Sequence, residues 1–487
     1  DSQKLFFYWN PGTAKADSAY QISPKDLSPT RIEADVISQS TPERGTFNKK
    51  KTHKLVNSQK GILLIDLKKK DTFLIYSTAE RISSPQFSFD ESLITFSVSQ
   101  NLFSWNRETG QLLQLTNFQK DKPERNSPER KEKTEQDKKL EADQKILFPK
   151  LSQQRNRFSG QYSRYGNRMG QGSSGGPETY YLEGFSVYGT QLSPDNQYIT
   201  VTMGKRSDIQ AESTKMPDYV TSTGYTEIRN TRSKVGSLPS EMKLEIFNLN
   251  NNTNYTLELE DLPGIFDAPE YYAEYPGRDL TYDSPKPISL SGPKWSEDGQ
   301  YGVMTAQSSD NKDRWIFLLD LATGKPKILD HQHDEAWISG PGIGYGGSVG
   351  WMPDQKRIYF QSELSGYSHL YTINVESGDK KALTSGNFEV YSPFLSDNKK
   401  FWYFSSNEVH PGERHFYRMP LDGGERVQLT SMVGSNSVNI SPDEKYLAIT
   451  FSFANRPPEL YFQANKPEAE AIQITDGRST SFKEYDW

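Results

Sequence analysis

The segment with the densest potential chemistry is His331-Gln332-His333-Asp334-Glu335, which places two imidazoles and two carboxylates within five residues. Alternate side chains of a β-strand point to one face, so His331, His333 and Glu335 could together bind a metal ion. Two other interpretations stay open: a polar loop without a ligand, and a site where Asp334 or Glu335 attracts a ligand's ammonium group. We predict no metal and no other cofactor, and we carry Asp334 and Glu335 forward as candidate substrate-binding residues.

A serine nucleophile is suggested by Gly346-Gly347-Ser348-Val349-Gly350, which matches the G-x-S-x-G nucleophile elbow. Such an elbow requires a buried strand that turns sharply into a helix. Here Trp351-Met352-Pro353-Asp354 follows, which is typical of the start of a strand. His369, His410 and His415 could nominally complete a triad, but no alternating β/α pattern surrounds them. We therefore predict no catalytic residue in this chain.

An acidic stretch rich in tyrosine separates two of the predicted strand groups. It contains Tyr271, Tyr272, Tyr275 and Tyr282 among several Glu and Asp residues. Loops of this kind often carry recognition. Packing or ordinary loop surface remains the favoured interpretation.

These side chains must be positioned by a repeated element, because one motif recurs along the chain. It consists of a small or polar residue, an acidic turn and an apolar strand. Pro presets φ in such turns, and Asp bonds to the neighbouring backbone. The copies are Ser88-Phe89-Asp90, Ser193-Pro194-Asp195, Ser296-Glu297-Asp298, Met352-Pro353-Asp354, Leu395-Ser396-Asp397 and Ser441-Pro442-Asp443.

A second motif follows, in which an aromatic strand leads through a Gly-containing turn to a strand that ends in Leu-Thr. In three copies the aromatic residue and the Thr have the same separation, Phe103 to Thr116, Tyr371 to Thr384 and Tyr417 to Thr430. Looser copies start near Tyr20, Leu63, Ile246, Phe317 and Tyr461, which makes eight copies. Most neighbouring copies without an insertion lie about 41–54 residues apart, the length of a four-stranded propeller blade.

The repeat predicts an all-β fold, an eight-bladed β-propeller of four-stranded antiparallel blades that spans residues 1–487 as a single domain. Separate β-sandwiches with similar hairpins are the alternative. Two longer intervals predict insertions, a charged and low-complexity one at 117–180 between blades and another at 204–243 within a blade.

Composition supports strands and turns and excludes several classes of protein. Only 33% of residues are hydrophobic while 12% are aromatic, so aliphatic residues are few. The chain lacks Cys, which excludes disulfides and thiolate metal sites. A net charge of −6 argues against a general nucleic-acid binder, so the charged and Arg-containing 117–180 insertion is expected to be solvated rather than to bind nucleic acid. No apolar stretch is long enough for a transmembrane helix.

Several blade segments carry a resemblance to a known family. They are Ser193-Pro194-Asp195-Asn196-Gln197-Tyr198, Leu383-Thr384-Ser385-Gly386-Asn387-Phe388-Glu389-Val390 and Arg414-His415-Phe416-Tyr417-Arg418-Met419. Together they resemble the N-terminal β-propeller of the dipeptidyl peptidase IV branch of the prolyl oligopeptidase family of serine peptidases. The resemblance is clearest between residues 180 and 475.

The resemblance implies a serine peptidase whose propeller gates a chamber and selects substrates, while an α/β-hydrolase domain carries the catalytic triad. We expect that domain to follow residue 487, outside this chain. The family's propeller holds the substrate's amino terminus with paired glutamates. The corresponding stretch here, Tyr180-Tyr181-Leu182-Glu183-Gly184, has one Glu. Glu183 therefore joins Asp334 and Glu335 as a candidate substrate-binding residue.

The predicted partners are the C-terminal hydrolase domain and a peptide substrate, with a homodimer or an envelope complex as further assemblies. We expect a periplasmic or cell-envelope location after removal of a signal peptide. The alternative function is a non-catalytic propeller that acts as a binding scaffold or as a subunit of an envelope complex.

Overall fold

The computed structural model describes residues 3–12, 15–34, 36, 45–120, 176–207, 213–233, 239–344 and 346–485. Strands dominate these residues and form eight sheets of three or four strands, which we number in chain order. Sheet 1 has three strands and sheets 2 to 8 have four. Antiparallel pairs occur in every sheet. The prediction of an all-β fold with four-stranded antiparallel sheets is confirmed in this form.

Sheets 1 to 4 are formed by fifteen of the first nineteen strands, and the other four form two separate pairs. Sheet 1 contains Leu5–Trp9 (β1), Ser18–Ser23 (β2) and Asp26–Ile32 (β3). Sheet 2 contains Gly45–Phe47 (β4), His53–Ser58 (β5), Gly61–Asp66 (β6) and Asp71–Tyr76 (β7). Sheet 3 contains Ile82–Phe87 (β8), Leu93–Val98 (β9), Asn101–Asn106 (β10) and Leu112–Gln114 (β11). Sheet 4 contains Ser186–Leu192 (β14), Tyr198–Lys205 (β15), Glu241–Asn248 (β18) and Thr253–Thr256 (β19).

Sheets 5 to 8 are formed by consecutive strands of the C-terminal half. Sheet 5 contains Ile288–Trp295 (β20), Gly302–Ser308 (β21), Asp313–Leu319 (β22) and Pro326–His333 (β23). Sheet 6 contains Val349–Trp351 (β24), Arg357–Ser362 (β25), His369–Asn374 (β26) and Lys380–Ala382 (β27). Sheet 7 contains Val390–Leu395 (β28), Phe401–Ser406 (β29), His415–Pro420 (β30) and Val427–Gln428 (β31). Sheet 8 contains Ser435–Ile440 (β32), Tyr446–Phe453 (β33), Arg456–Ala464 (β34) and Ile472–Gln473 (β35).

The acidic turn motif joins the first and second strands of a sheet by a fixed set of hydrogen bonds. In sheet 5, the Ser296 hydroxyl donates to Asp298 Oδ1 over 2.5 Å and accepts from the backbone N–H of Tyr301 over 3.1 Å. Asp298 Oδ1 also accepts from the backbone N–H of Gln300. The predicted turn role of the Asp is therefore confirmed in this copy. In the copy at Leu395-Ser396-Asp397 the role falls to Asn398 instead, which accepts from the Ser396 hydroxyl and from the backbone N–H of Lys400. The same bonds connect Ser88 with Asp90, Ser193 with Asp195, and Ser441 with Asp443.

The Leu-Thr motif is explained by a hydrogen bond from the third strand to the Thr side chain. The hydroxyl oxygen of Thr430 accepts from the backbone N–H of Phe416, the residue before the aromatic Tyr417, over 2.9 Å. The constant spacing in the sequence is therefore the length of chain that returns the Thr to this N–H. The same bond joins Thr116 to Leu102, Thr384 to Leu370, and Thr475 to Leu460.

The sheets belong to two compact units, one formed from residues 1–45 and 187–487 and the other from residues 46–186. In the first unit, buried apolar clusters join sheet 4 to sheet 5, sheet 5 to sheet 6, sheet 6 to sheet 7, sheet 7 to sheet 8, and sheet 8 to sheet 1. Alternation along β22 makes this possible, since Trp315 and Phe317 face sheet 4 while Ile316 and Leu318 face sheet 6. In the second unit, sheets 2 and 3 share their own core.

The two intervals expected to be insertions differ in how much of them is described. β15 pairs directly with β18, and the chain between them forms a separate hairpin of Ser213–Asp218 (β16) and Glu227–Ser233 (β17). Of the 117–180 interval, residues 121–175 lie outside the described residues, while Asn117–Gln119 (β12) and Thr179–Tyr181 (β13) pair in parallel. The assignment of one domain with two insertions stays a prediction.

Helices are short wherever the chain is described: a 3-10 helix at Glu270–Glu274 and an α-helical turn at Thr480–Lys483. Within that part of the chain, no helix has the length and hydropathy needed to cross a bilayer.

Candidate functional site

The last two strands of sheet 5 bring His331 and His333 beside an aspartate that is distant in sequence. In the antiparallel ladder of β22 and β23, Asp313 lies opposite His333 and Trp315 lies opposite His331. Because both pairs are two residues apart, their side chains share one face of the sheet. A turn of the same type fixes the start of β22, since the Ser308 hydroxyl accepts from the backbone N–H of Asp313 over 2.9 Å.

Asp313 is the centre of this cluster and is only 1% exposed. Its Oδ1 lies 2.9 Å from His331 Nε2 and 2.7 Å from His333 Nδ1, and its Oδ2 accepts from Lys286 Nζ over 2.5 Å. Burial alone would raise the pKa of Asp313, but hydrogen bonds from His331, Lys286 and His333 outweigh it and lower the pKa to about 2. The carboxylate is therefore ionised, and its charge is balanced by Lys286, which is also buried.

Glu335 forms an outer layer just beyond the end of β23. Its Oε1 lies 3.2 Å from His333 Nε2, and its Oε2 accepts from Lys312 Nζ over 3.4 Å and from the backbone N–H of Glu270 over 3.3 Å. Burial alone would lower the pKa of His333, yet its hydrogen bonds to Asp313 and Glu335 raise it. Burial likewise would raise the pKa of Glu335, but the hydrogen bond from His333 and the backbone N–H of Glu270 lower it. Each of the two shifts is toward the charged form of its group.

Exposed aromatic side chains lie in the loops next to this charged layer in the sequence. Tyr271 lies in the 3-10 helix and Tyr275 is the C-cap residue that follows it; they are 51% and 55% exposed. Trp337, two residues after Glu335, is 71% exposed. The rings of Tyr271 and Tyr275 pack edge to face, while Tyr272 packs in the same way on Tyr282. The tyrosine-rich stretch is therefore partly packed on itself and partly open to solvent.

The three predicted substrate-binding residues occupy different settings. Glu335 belongs to the cluster. The neighbouring Asp334 is exposed, and its Oδ1 accepts from the backbone N–H of Ala336 over 2.7 Å, which is a local turn contact. Glu183 lies in the other unit, in a turn where its φ is +50° and its backbone N–H donates to the carbonyl of Lys120 over 3.0 Å. Their role in binding a substrate stays a prediction.

The sequence did not point to Asp313, Lys286 or Lys312 as part of the site. Asp313 comes shortly after Asp310, whose carboxylate accepts from the Ser308 hydroxyl in a turn. In the sequence, Asp313 therefore looks like one more acidic residue of that turn. The strand register alone places it opposite His333. The alternation His331-x-His333 was the one usable signal, and it correctly placed both imidazoles on one face. The third member of that face is Asp313 of the neighbouring strand, while Glu335 contacts the outer nitrogen of His333.

Ser348 does not occupy a nucleophile elbow. It donates its backbone N–H to the carbonyl of Gly342 and leads into β24, a strand rather than a helix. His369 and His415 lie on other sheets and are almost fully buried, with their ring nitrogens bonded to Thr384 and Thr430 among others.

Comparison with known proteins places these sheets in a family. The family model for the dipeptidyl peptidase IV (DPP IV) N-terminal region matches residues 183–458, more than half of the chain. The chain is 23% identical to dipeptidyl peptidase 4 of Trichophyton equinum over 326 residues, or 64% of this chain and 39% of that protein. It is 30% identical to dipeptidyl peptidase 4 of Arthroderma otae over 165 residues, or 32% of this chain and 21% of that protein.

The fold also resembles a solved structure. The crystal structure of Porphyromonas gingivalis dipeptidyl peptidase 4 aligns with 99% of this chain and 59% of its own, at a TM-score of 0.51 and 14% identity. The chain thus spans less than two thirds of the length of each of these relatives. The family match confirms the resemblance carried by the blade segments: this chain belongs to the dipeptidyl peptidase IV N-terminal region family.

Proposed function

We propose that this chain is the gating and substrate-selection portion of a dipeptidyl-peptidase-IV-like serine peptidase, whose peptide hydrolysis takes place in a separate C-terminal α/β-hydrolase domain. The family match over residues 183–458 is the observation that carries this proposal. The proposal includes the arrangement of the eight sheets as eight blades of one propeller. The packing of sheets 4 to 8 in series, with sheet 8 on sheet 1, supports that arrangement.

A peptide substrate would be positioned through its free amino terminus. Among the candidate carboxylates, Glu335 has the best-defined position, because His333, Lys312 and the Glu270 backbone hold both of its oxygens. A carboxylate that is already fixed loses little entropy when it binds an ammonium group. Lys312 competes for the same charge, however, so we expect a modest contribution from Glu335. Glu183 and Asp334 are the further candidates.

The activity test uses the complete natural polypeptide that contains residues 1–487. We expect it to react with a fluorophosphonate probe, which labels activated serines. We also expect it to release N-terminal dipeptides from peptides with a free amino terminus, and residues 1–487 alone to do neither. A natural polypeptide that is not labelled and hydrolyses no peptide would instead support a non-catalytic binding scaffold.

The amine-anchor test compares Glu335→Gln and Glu183→Gln with wild type in that enzyme. Substitution of whichever glutamate binds the substrate amine should raise the KM for free-amino peptides by about tenfold, which corresponds to about 1.4 kcal/mol of lost binding. The KM for N-acetylated peptides, which lack the amino-terminal positive charge, should not change. The matched control is Glu425→Gln, an exposed glutamate of sheet 7's last turn. Unchanged KM values in both variants would remove the anchor role.

The location and assembly remain parts of the same proposal. We expect a periplasmic or envelope-associated protein that forms a homodimer or joins an envelope complex. Cell fractionation and light scattering of the purified complete protein measure these two properties. Cytoplasmic recovery of a monomer would contradict both.

A further inference from the structure

A compact set of metal-ligand atoms lies at the end of sheet 5. Asp313, His331 and His333 each offer one donor atom, and the three atoms lie within 4.8 Å of one another. In a tetrahedral zinc site, with metal–ligand bonds of about 2.0–2.1 Å, donor atoms lie about 3.3 Å apart. The separations of 2.9 Å and 2.7 Å between Asp313 Oδ1 and the two ring nitrogens are within about 0.6 Å of that value.

The backbone holds this set in place on both sides. His331 and His333 lie on β23 and Asp313 lies on β22, in the part of the antiparallel ladder that is unbroken from Asp313 to Ile316. Because the three ligands lie on adjacent strands, no loop has to move to bring them together around an ion. The His331 ring also stacks on Trp315, with centroids 5.4 Å apart and planes 5° from parallel, which fixes its orientation. A site on paired strands is more precisely positioned than one on loops.

The groups around the donor atoms match the outer layer of a metal site. Ligating histidines usually donate their second ring N–H to a carboxylate. Here His333 Nε2 faces Glu335 Oε1 at 3.2 Å while His333 Nδ1 faces the cluster. Lys286 holds the second oxygen of Asp313, which leaves Oδ1 directed at both imidazoles. Glu335 is in turn held by Lys312.

Access and donor chemistry indicate the class of ion. The Asp313 side chain is 1% exposed, but those of His331 and His333 are 26% and 39% exposed, so an ion can enter from the solvent side. Two imidazoles with one carboxylate suit Zn²⁺ and the neighbouring divalent transition ions, rather than Ca²⁺ or Mg²⁺, which prefer oxygen ligands. Three protein ligands leave a position for water or a ligand atom.

We propose that Asp313, His331 and His333 form a binding site for a divalent transition-metal ion, with Zn²⁺ as the reference ion and Glu335 as the outer partner of His333. This proposal departs from our prediction of no metal, and Asp313 takes the place that Glu335 had in the ligand set considered from the sequence. It does not depend on the proposed peptidase function, since the ion is bound by this chain alone.

Titration calorimetry and Co²⁺ absorption test the proposal on the complete, tag-free protein after dialysis against a chelator. We expect one Zn²⁺ per chain, and visible bands of Co²⁺ with the intensity of a four- or five-coordinate site. His331→Gln and His333→Gln should each weaken Zn²⁺ binding at least tenfold and abolish the Co²⁺ bands. Glu335→Gln should weaken binding about tenfold, the effect expected for an outer partner.

Control variants separate loss of the site from loss of the fold. His410→Gln changes an exposed histidine in the loop between β29 and β30 and should leave Zn²⁺ binding unchanged. Asp313→Asn removes the buried ligand, and its result is interpreted only together with those of the two histidine variants. The histidine side chains are partly exposed, and circular dichroism checks that the histidine variants fold. Absence of saturable Zn²⁺ binding, or binding that is equal in wild type and in both histidine variants, would overturn the proposal.

Discussion

The buried pair of Lys286 and Asp313 should dominate the stability of sheet 5. Their side chains are 5% and 1% exposed, and the ammonium donates to the carboxylate over 2.5 Å. Removing one partner of a buried ion pair leaves the other charge without solvent, which typically costs about 3–5 kcal/mol. Lys286→Met should lie near the lower end of this range, because Asp313 retains two histidine donors. Asp313→Asn should cost a similar amount, because Lys286 then lacks a counter-charge.

A double-mutant cycle isolates the interaction between the two side chains. If each single substitution lowers the free energy of unfolding by about 3 kcal/mol, the double variant should lose about 3–4 kcal/mol, not about 6. The coupling energy is then about 2–3 kcal/mol. Urea unfolding followed by tryptophan fluorescence, in chelator-containing buffer, measures all four proteins.

The matched control is Lys325→Met, which removes an exposed lysine that pairs with Glu258 over 3.3 Å and is 57% exposed. Solvent screens such a pair, so the free energy of unfolding should change by less than about 1 kcal/mol. Additivity of Lys286→Met and Asp313→Asn within about 0.5 kcal/mol would refute the reasoning, because independent sites add to that accuracy.

Substitutions at three further positions test the repeated turns by urea unfolding. Thr430→Val removes the hydroxyl that accepts from the buried N–H of Phe416 and should cost about 1–3 kcal/mol, while Thr430→Ser should retain most of the stability. Ser296→Ala deprives a carboxylate and a backbone N–H of their shared hydroxyl and should cost about 2–3 kcal/mol; a cost below about 0.5 kcal/mol would contradict the turn's role. In Asp354, burial raises the pKa, but the hydrogen bond from Arg357 and backbone N–H groups lower it overall below 3.8. The stabilisation by the Asp354 carboxylate should therefore be present above pH 3.8 and be lost as the pH falls through the lowered folded-state pKa. The free energy of unfolding of Asp354→Asn should then be lower than that of wild type by less than about 1 kcal/mol at neutral pH, and equal to it in strong acid.

Much of the fold could be predicted because each repeated motif corresponds to a hydrogen bond within a single sheet. Seven of the eight residues that mark the copies, five of them aromatic and two aliphatic (Leu63 and Ile246), fall on the third strand of sheets 2 to 8. The eighth, Tyr20, falls on the second strand of sheet 1. The Ser and Thr hydroxyls of the two motifs close hairpins within a single sheet, so their spacing along the chain is constant. Hydrogen bonds of this kind are therefore visible in the sequence as residue types that recur at a constant spacing.

The candidate site was only half predictable for the opposite reason. His331 and His333 share a face by simple alternation, which the sequence reveals. Asp313 reaches them through the register between β22 and β23, and Lys286 reaches Asp313 from a preceding loop. Neither contact has a fixed spacing along the chain.

The sequence by itself therefore determined the all-β class, the repeated turns, the eight sheet-forming segments and the family. Those features depend on residues close together in the chain, where spacing and side-chain type set the backbone hydrogen bonds. Only the tertiary structure decided which charges are buried and which are paired, because burial depends on how strands that are distant in sequence align. That alignment placed the Asp313 carboxylate against both His331 and His333 and left Glu335 in contact with the outer nitrogen of His333.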